Sequence, residues 1–171
     1  MENVTVNWTN RRSDGYAAEV VKRTGSLESA YFDAPLISHI EGNLWMGGCD
    51  NGPLDSDFLT VVSLYPWGKF LIGPETTRVE FKAYDQQGGF PMDLLEEASD
   101  AVLAGLEKGK TLVHCQAGLN RSGLVAAYTM MRLGKTAQEA IDLLREKRDG
   151  LVLCNHSFVE ILHRKQHELE V

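Results

Sequence analysis

The chain has 171 residues, 43% of them hydrophobic and 24% charged, which suits one globular domain with its own core. This composition excludes a disordered tail, a collagen-like chain and a small fold built on disulfides. The formal net charge is −7, so long-range repulsion argues against a general binder of nucleic acids or membrane surfaces. Any phosphate that the protein binds must therefore be held by a local set of donors.

The first residues and the cysteines favour a cytoplasmic protein. Residues 1–8 are mixed polar and lack the apolar stretch of a secretory signal. The longest segment free of Asp, Glu, Lys and Arg, residues 58–68, is too short to span a membrane. The cysteines Cys49, Cys115 and Cys154 have no CxxC spacing, so we expect reduced thiols rather than zinc ligands or disulfides. No metal, cofactor or membrane contact is expected.

The N-terminal part of the chain has the weakest pattern. We treat residues 1–35 as an arm of unknown packing. Within it, Arg11–Gly15 is typical of a turn, and Ala17–Lys22 is interpreted as a short helix. The remaining residues, 36–171, are expected to form the main domain.

From residue 36 onward, four short apolar or alternating runs predict strands. The runs are closed by glycine or proline, or alternate with polar residues, as strands do. They are Leu44–Met46, Leu59–Leu64, Arg78–Tyr84 and Thr111–Val113.

The helices are predicted mainly after these strands. Pro91 suits a first helical position, and apolar residues follow it at helical spacing. Residues 122–133 are apolar on nearly all sides and end before Gly134, which predicts a buried helix. Two capping boxes, residues 136–139 and 157–160, each open a further helix. The order predicts a single α/β domain, with a mainly parallel sheet of four or five strands and helices on both faces.

The segment from Val113 to Gly123, VHCQAGLNRSG, carries the chemistry. A strand ends at Cys115, a short loop with one glycine follows, and a buried helix begins near Arg121. The loop N–H groups and the positive end of the helix converge, which makes an anion site. The same field stabilises a thiolate at Cys115. Arg121 lies six positions further on and can grip two oxygens of a phosphate.

A cysteine at a strand end is usually a packing residue, so the whole string decides the interpretation. Rhodanese-like sulfurtransferases and arsenate reductases also use anion loops headed by a cysteine. The pattern His-Cys-x-x-Gly-x-x-Arg-Ser-Gly between a strand and a buried helix is far more specific. It favours a nucleophilic cysteine beneath a bound phosphoryl group.

This string resembles the signature of the cysteine-dependent protein tyrosine phosphatase superfamily, and the short chain resembles its dual-specificity branch. The resemblance runs from about Ile40 to Leu169, and Arg148 with residues 155–158 matches the closing segment of the family. Asp149 and Cys154 stand where the family often has proline. The implied fold is the α/β fold of protein tyrosine phosphatases.

Cleavage of a phosphate ester also needs a proton donor, because an alkoxide or phenoxide is a poor leaving group. Asp85 follows a predicted strand and lies 30 residues before Cys115, similar to the spacing in the family. Asp93 is the alternative, although an aspartate is common in a first helical turn.

The roles expected of the site residues follow. Cys115 attacks phosphorus while Asp85 protonates the leaving oxygen, and Asp85 then takes a proton from the water that releases phosphate. By resemblance, Ser122 donates to the departing thiolate, and His114 orients the loop. The phosphate-binding backbone is expected at Gln116, Ala117, Gly118, Leu119, Asn120 and Arg121.

The leading expectation is a phosphatase acting on phosphotyrosine, and on phosphoserine or phosphothreonine, in proteins. A phosphorylated protein is thus the expected partner, with no nucleic acid. Three alternatives remain open: an RNA 5′-triphosphatase, since asparagine also precedes the arginine there; a phosphoinositide phosphatase, although the loop has no lysine; and a non-catalytic module that binds phosphopeptides. Whether Cys49 or Cys154 protects Cys115 from oxidation also stays open.

Overall fold

The structure is a computed structural model that describes residues 34–170 in full and, before them, three strands by their backbone pairing alone. These are β1 (Val4–Arg12), β2 (Gly15–Lys22) and β3 (Leu27–Phe32), which form an antiparallel sheet in the order β1-β2-β3. The helix predicted over residues 17–22 is wrong, because those residues belong to β2. Short apolar runs do not distinguish helix from strand by periodicity alone. The turn predicted from residue 11 to residue 15 includes residues 13 and 14, which lie outside the described residues.

A five-stranded sheet forms the centre of the described domain, in the order β4-β5-β8-β6-β7. Four of its strands are parallel, and β4 at one edge runs antiparallel to β5. β4 was not among the predicted strands. The strands are β4 (Ile37–Glu41), β5 (Leu44–Gly47), β6 (Thr60–Ser63), β7 (Thr77–Glu80) and β8 (Thr111–His114).

β8 is the middle strand, and its register places the site. Thr111 pairs with residues of both neighbours, and at the other end His114 pairs with Gly47 of β5 and Ser63 of β6. Because the three strands are parallel, their carboxyl ends meet at one edge of the sheet. In open α/β sheets this edge is where ligands bind.

In the described part of the chain, four helices follow or interrupt the strands, and all four contribute to the larger hydrophobic cluster. That cluster includes Val62 of β6 and Val113 of β8, so it covers one face of the sheet. The predicted single α/β domain with a mainly parallel sheet is confirmed. The helices are α1 (Met92–Lys108), α2 (Arg121–Arg132), α3 (Ala137–Lys147) and α4 (His156–Leu169).

The opposite face of the sheet is covered by loops. Val61 and Leu112 directly precede Val62 and Val113 in their strands, so they lie on the other face. They pack with Phe58 and Phe70 in a second cluster. The described members of this cluster come from strands and loops, so the expectation of helices on both faces is wrong in this detail. Aromatic and aliphatic side chains of the connections replace a helix layer.

The two predicted capping boxes have different outcomes. The box at Thr136 is confirmed: its side chain accepts from the Glu139 N–H, and the Glu139 carboxylate accepts from the Thr136 N–H. The box at Ser157 is wrong, because α4 begins earlier and Asn155 is its N-cap, accepting from the Ser157 N–H. Within the described residues, no helix has the length and apolar character to cross a membrane.

Candidate active site

The loop after β8 forms a tight cup that requires glycine at its centre. Cys115 directly follows the strand, and α2 begins at Arg121. Gly118 has φ +72°, in the left-handed region, and a Cβ there would lie 2.4 Å from the carbonyl carbon of Gly47. A side chain at this position would therefore force the loop away from β5.

The carbonyl groups of the loop all have donors outside the cup. Each of the six consecutive carbonyl oxygens from residue 115 to residue 120 accepts a hydrogen bond, four of them from distant parts of the chain, one from the neighbouring His114 ring and one from within α2. The Gly118 N–H points to the Cys115 sulfur, and the other N–H groups of the loop can converge on an anion at the same place. The donors, in order, are the His114 ring, the Cys49 N–H, two nitrogens of Arg148, the Leu153 N–H and the Leu124 N–H.

Arg148 supplies two of these donors and is itself buried. Its Nη2 donates to the Ala117 carbonyl at 3.1 Å and its Nε to the Gly118 carbonyl at 2.7 Å. Its Nη1 donates to the Pro35 carbonyl and to Ser38 Oγ. One guanidinium thus ties the loop to the segment that enters the edge strand β4.

The sulfur of Cys115 lies at the centre of the cup, and the residue is only 2% exposed. Ser122 Oγ lies 3.2 Å from the sulfur, and the Gly118 N–H donates to it at 3.3 Å. Burial raises the pKa of the Cys115 thiol, but the Arg121 charge and the hydrogen bonds from Ser122 and Gly118 outweigh it, so the pKa lies below its ordinary value. The site favours a thiolate.

Arg121 is buried beside this sulfur. Its Nη1 donates to the Ala83 carbonyl at 3.1 Å, and its guanidinium carbon lies 5.4 Å from the ring centre of Tyr65. Its Nε is buried and has no hydrogen-bond partner among the described residues. A buried guanidinium N–H without a partner is costly unless a ligand accepts from it.

Asp85 is brought to the loop by two asparagine side chains. Asn120 Nδ2 donates to Asp85 Oδ2 and Asn155 Nδ2 donates to Asp85 Oδ1, each at 2.8 Å. Asn155 also donates to the Gln86 carbonyl. Asp93, the alternative acid, lies in the first turn of α1, and none of its described contacts reaches the loop. The structure therefore brings together Asp85, but not Asp93, with the residues around Cys115.

His114 is buried at the base of the cup. Its ring packs edge-on against Phe70, with the ring centres 5.3 Å apart, and Nδ1 lies 3.2 Å from the Cys115 carbonyl oxygen. Burial lowers the pKa of His114 to about 4, so the ring is neutral near neutral pH. This suits a residue that positions the loop.

The other two thiols are less acidic. Burial raises the pKa of Cys49 and of Cys154 to about 11 in each case, and nearby negative groups add to the effect. All three cysteines are free thiols. The described residues contain no group of three or more His, Cys, Asp or Glu able to hold a metal ion.

Comparison with known families decides the assignment of the fold. The family model described as "Dual specificity phosphatase, catalytic domain" matches residues 72–168, more than half of the chain. The chain belongs to this family. The match includes Asp85, the loop, Arg148 and Asn155, so the domain is a phosphatase catalytic domain of the dual-specificity type.

Relatives and solved structures are consistent with this family. Protein 123R of Invertebrate iridescent virus 6 is 28% identical over 124 residues, 70% of this chain and 84% of the viral protein. The mouse protein tyrosine phosphatase domain-containing protein 1 is 41% identical over 64 residues, so the match covers 33% of this chain but only 9% of that protein. The crystal structure of human DUSP28 superposes with a TM-score of 0.70 at 18% identity, covering 78% of this chain and 97% of that one, which shows a shared fold.

Sequence reasoning assigned no role to the residues that hold the cup from behind. Arg148 and Asn155 were recognised only as part of a matching segment. A sequence signal existed for Asn155, because an asparagine before a helix is typical of an N-cap, whose side chain accepts a backbone N–H of the first turn. Their partners, at residues 117–118 and 85, are too distant in sequence for such a signal to identify.

Proposed function

We propose that this protein hydrolyses phosphotyrosine, and also phosphoserine or phosphothreonine, in proteins through a cysteinyl-phosphate intermediate. The observation that carries the proposal is the buried Cys115 thiol. Its pKa is lowered, and it lies at the centre of a loop whose carbonyl oxygens all accept hydrogen bonds from the surrounding protein. Such a cup binds a phosphoryl group directly above a nucleophile.

In the first step, the Cys115 thiolate attacks phosphorus, and an S–P bond forms as the ester P–O bond breaks. Asp85 gives its proton to the leaving oxygen, so the leaving group departs as a neutral alcohol or phenol. Arg121 Nε, which lacks a partner among the described residues, donates to an equatorial oxygen of the phosphoryl group. The inward N–H groups of residues 116–121 stabilise the remaining charge.

In the second step, water attacks the cysteinyl-phosphate. Asp85 takes a proton from this water as the new O–P bond forms and the S–P bond breaks. Ser122 Oγ, 3.2 Å from the sulfur, donates to the departing thiolate. The sum of both steps is an ester and water converted to an alcohol and inorganic phosphate.

The position of Asn120 bears on the alternative of an RNA 5′-triphosphatase. Its side chain donates to Asp85 and to Cys154 Sγ and accepts from the Asn155 N–H, so its amide already has partners within the protein. A triphosphate has a stable diphosphate leaving group and does not require a proton donor. A loop asparagine that brings a carboxylate to the site supports the hydrolysis of esters with poor leaving groups.

The nucleophile is tested with Cys115→Ser. Its turnover of para-nitrophenyl phosphate should be lost while binding of inorganic phosphate is retained, because a hydroxyl is a far weaker nucleophile but leaves the cup intact. Cys49→Ser, which alters a thiol outside the loop, serves as the matched control and should keep its turnover. Residual activity of Cys115→Ser within about tenfold of the parent would contradict the assignment.

The substrate class is tested on one preparation with three substrates. We expect kcat/KM on phosphotyrosyl peptides to be at least about tenfold above that on triphosphate-ended RNA, since the net charge of −7 opposes RNA binding. Soluble inositol phosphates should also be poor substrates, because residues 116–120 offer no lysine to a second phosphate. If RNA is the best substrate and Asp85→Ala leaves its hydrolysis unchanged, the protein phosphatase proposal is wrong.

A further inference from the structure

Three aromatic side chains lead outward from the candidate active site. The Tyr65 ring lies beneath the Arg121 guanidinium, the Trp67 ring is 5.1 Å from Tyr65, and the Tyr84 ring is 5.7 Å from Trp67, between ring centres. We refer to Tyr65, Trp67 and Tyr84 as the aromatic ladder. It runs without interruption from Arg121 to the surface.

The outer part of the ladder is exposed to an unusual degree for large apolar side chains. Trp67 and Tyr84 are each 52% exposed. Among the described residues, the other exposed large apolar side chains are three leucines. Exposed aromatic residues that touch each other are typical of binding surfaces rather than of the general protein surface.

Lys82 adds a positive charge to this surface. Its ammonium nitrogen lies 5.7 Å from the ring centre of Trp67 and 5.9 Å from that of Tyr84. It has no carboxylate partner within the described part of the chain, whereas Lys69 nearby is paired with Glu80 at 3.1 Å. In a protein of net charge −7, Lys82 is a cation available to an acidic group.

The segment that carries Lys82 and Tyr84 also connects the two sides of the site. The Ala83 carbonyl accepts from Arg121, and Asp85 accepts from Asn120 of the loop. Tyr84 lies between these two contacts, next to the group that protonates the leaving oxygen. The part of a substrate beyond the ester oxygen can therefore extend along this side of the site.

We propose that the aromatic ladder with Lys82 is a subsite for the peptide that flanks the phosphorylated residue, and that it selects an apolar side chain together with an acidic one. This inference rests on the proposed function and specifies its substrate. The rings supply apolar contact area, and Lys82 pairs with the acidic side chain. A single cation suits a short acidic peptide, whereas a single-stranded nucleic acid needs a groove of several cations along its backbone.

The test compares four substrates: an acidic phosphotyrosyl peptide with a neighbouring leucine, the same peptide with lysines in place of its acidic residues, para-nitrophenyl phosphate and triphosphate-ended RNA. In Trp67→Ala, kcat/KM on the acidic peptide should fall about tenfold further than on para-nitrophenyl phosphate. Lys82→Glu should reverse the preference between the two peptides. Leu133→Ala removes an exposed leucine at the end of α2 and is the matched control, which should keep the parent's ratios.

Three results would overturn the subsite. They are an equal loss on the peptide and on para-nitrophenyl phosphate, an unchanged peptide preference in Lys82→Glu, and a larger loss on RNA than on the peptides. The affinity of Cys115→Ser for the acidic peptide separates this inference from the proposed function. If the parent hydrolyses none of the substrates but adding Trp67→Ala to Cys115→Ser weakens binding of the acidic peptide, the subsite stands and the proposed function fails. If binding does not depend on Trp67, the subsite is wrong.

Discussion

The contact between Ser122 and Cys115 allows a quantitative test of how the site ionises its thiol. Ser122 is fully buried, and its Oγ lies 3.2 Å from the sulfur, which also accepts from the Gly118 N–H. A hydrogen bond to a charged group contributes about 1.5–3 kcal/mol. Since one pKa unit corresponds to about 1.36 kcal/mol, Ser122→Ala should raise the pKa of Cys115 by about one to two units.

The sign follows from which form the serine stabilises. The hydroxyl donates to the thiolate, so its loss favours the thiol and moves ionisation to higher pH. The Gly118 N–H and the Arg121 charge remain in this variant and continue to stabilise the thiolate.

The measurement is the rate of alkylation of Cys115 by iodoacetamide as a function of pH, together with the acidic limb of kcat/KM. Both midpoints should move to higher pH by the same amount. Because the departing thiolate also loses its donor, hydrolysis of the cysteinyl-phosphate should slow, and a burst of para-nitrophenol should precede the steady state.

The matched control is Ser99→Ala, which removes a buried hydroxyl that contacts Thr129 and Arg132 rather than the site. Its alkylation midpoint should be that of the parent. A midpoint in Ser122→Ala within about 0.3 units of the parent, or a shift to lower pH, would refute the claim that Ser122 stabilises the thiolate.

Three further predictions concern the residues around the cup. Asp85→Ala should lower kcat by about 10²–10⁴, and a larger loss in Asp93→Ala would identify the other carboxylate as the acid. Arg148→Met leaves the Ala117 and Gly118 carbonyls without their donor, so the free energy of unfolding should fall by about 3 kcal/mol and phosphate affinity should weaken. A thermal melt and a phosphate titration like those of the parent would contradict this. Asn155→Ala removes the N-cap of α4 and one donor to Asp85, so the free energy of unfolding should fall by about 1 kcal/mol and kcat should drop less than in Asp85→Ala. An unchanged midpoint of Cys115 alkylation separates this effect from one on the thiol.

The sequence predicts the parts of the fold whose signals are local. The buried runs of β5, β6 and β8, the stop at Gly134 and the capping box at Thr136 each depend on residues close together in the chain. β4 escaped prediction because its polar residues Ser38 and His39 interrupt the apolar pattern of a short edge strand. Its place at the edge is decided by pairing with β5, which sequence patterns do not report.

The predicted strand over residues 78–84 illustrates a different limit. Val79, Phe81 and Ala83 alternate as in a strand, but pairing of β7 ends at Glu80, and Phe81 donates one further bond to the Ser63 carbonyl. The alternation is real, because Ala83 is buried while Lys82 and Tyr84 are exposed. The pattern therefore reports which side faces the core, and it does not report where the neighbouring strand stops.

The site divides in the same way. Cys115 and Arg121 lie in one continuous motif, so their proximity could be predicted from the loop between them. The contact of Asp85 with Asn155 joins residues 70 positions apart and depends on the path of the chain through the whole domain. Ser157, read as a cap, donates instead to Gln87 Oε1, because the segment after Asp85 packs against the start of α4.

The outward donors of the phosphate cup also constrain when activity can arise during synthesis. The loop of residues 115–121 leaves the ribosome before Arg148 and Leu153, yet three of its carbonyls depend on those two residues. A nascent chain that ends before residue 148 has the complete signature motif but lacks the donors to three of its carbonyls. Phosphate affinity should therefore appear late and abruptly as the chain lengthens, which makes it a reporter of the last stage of folding rather than of the motif itself.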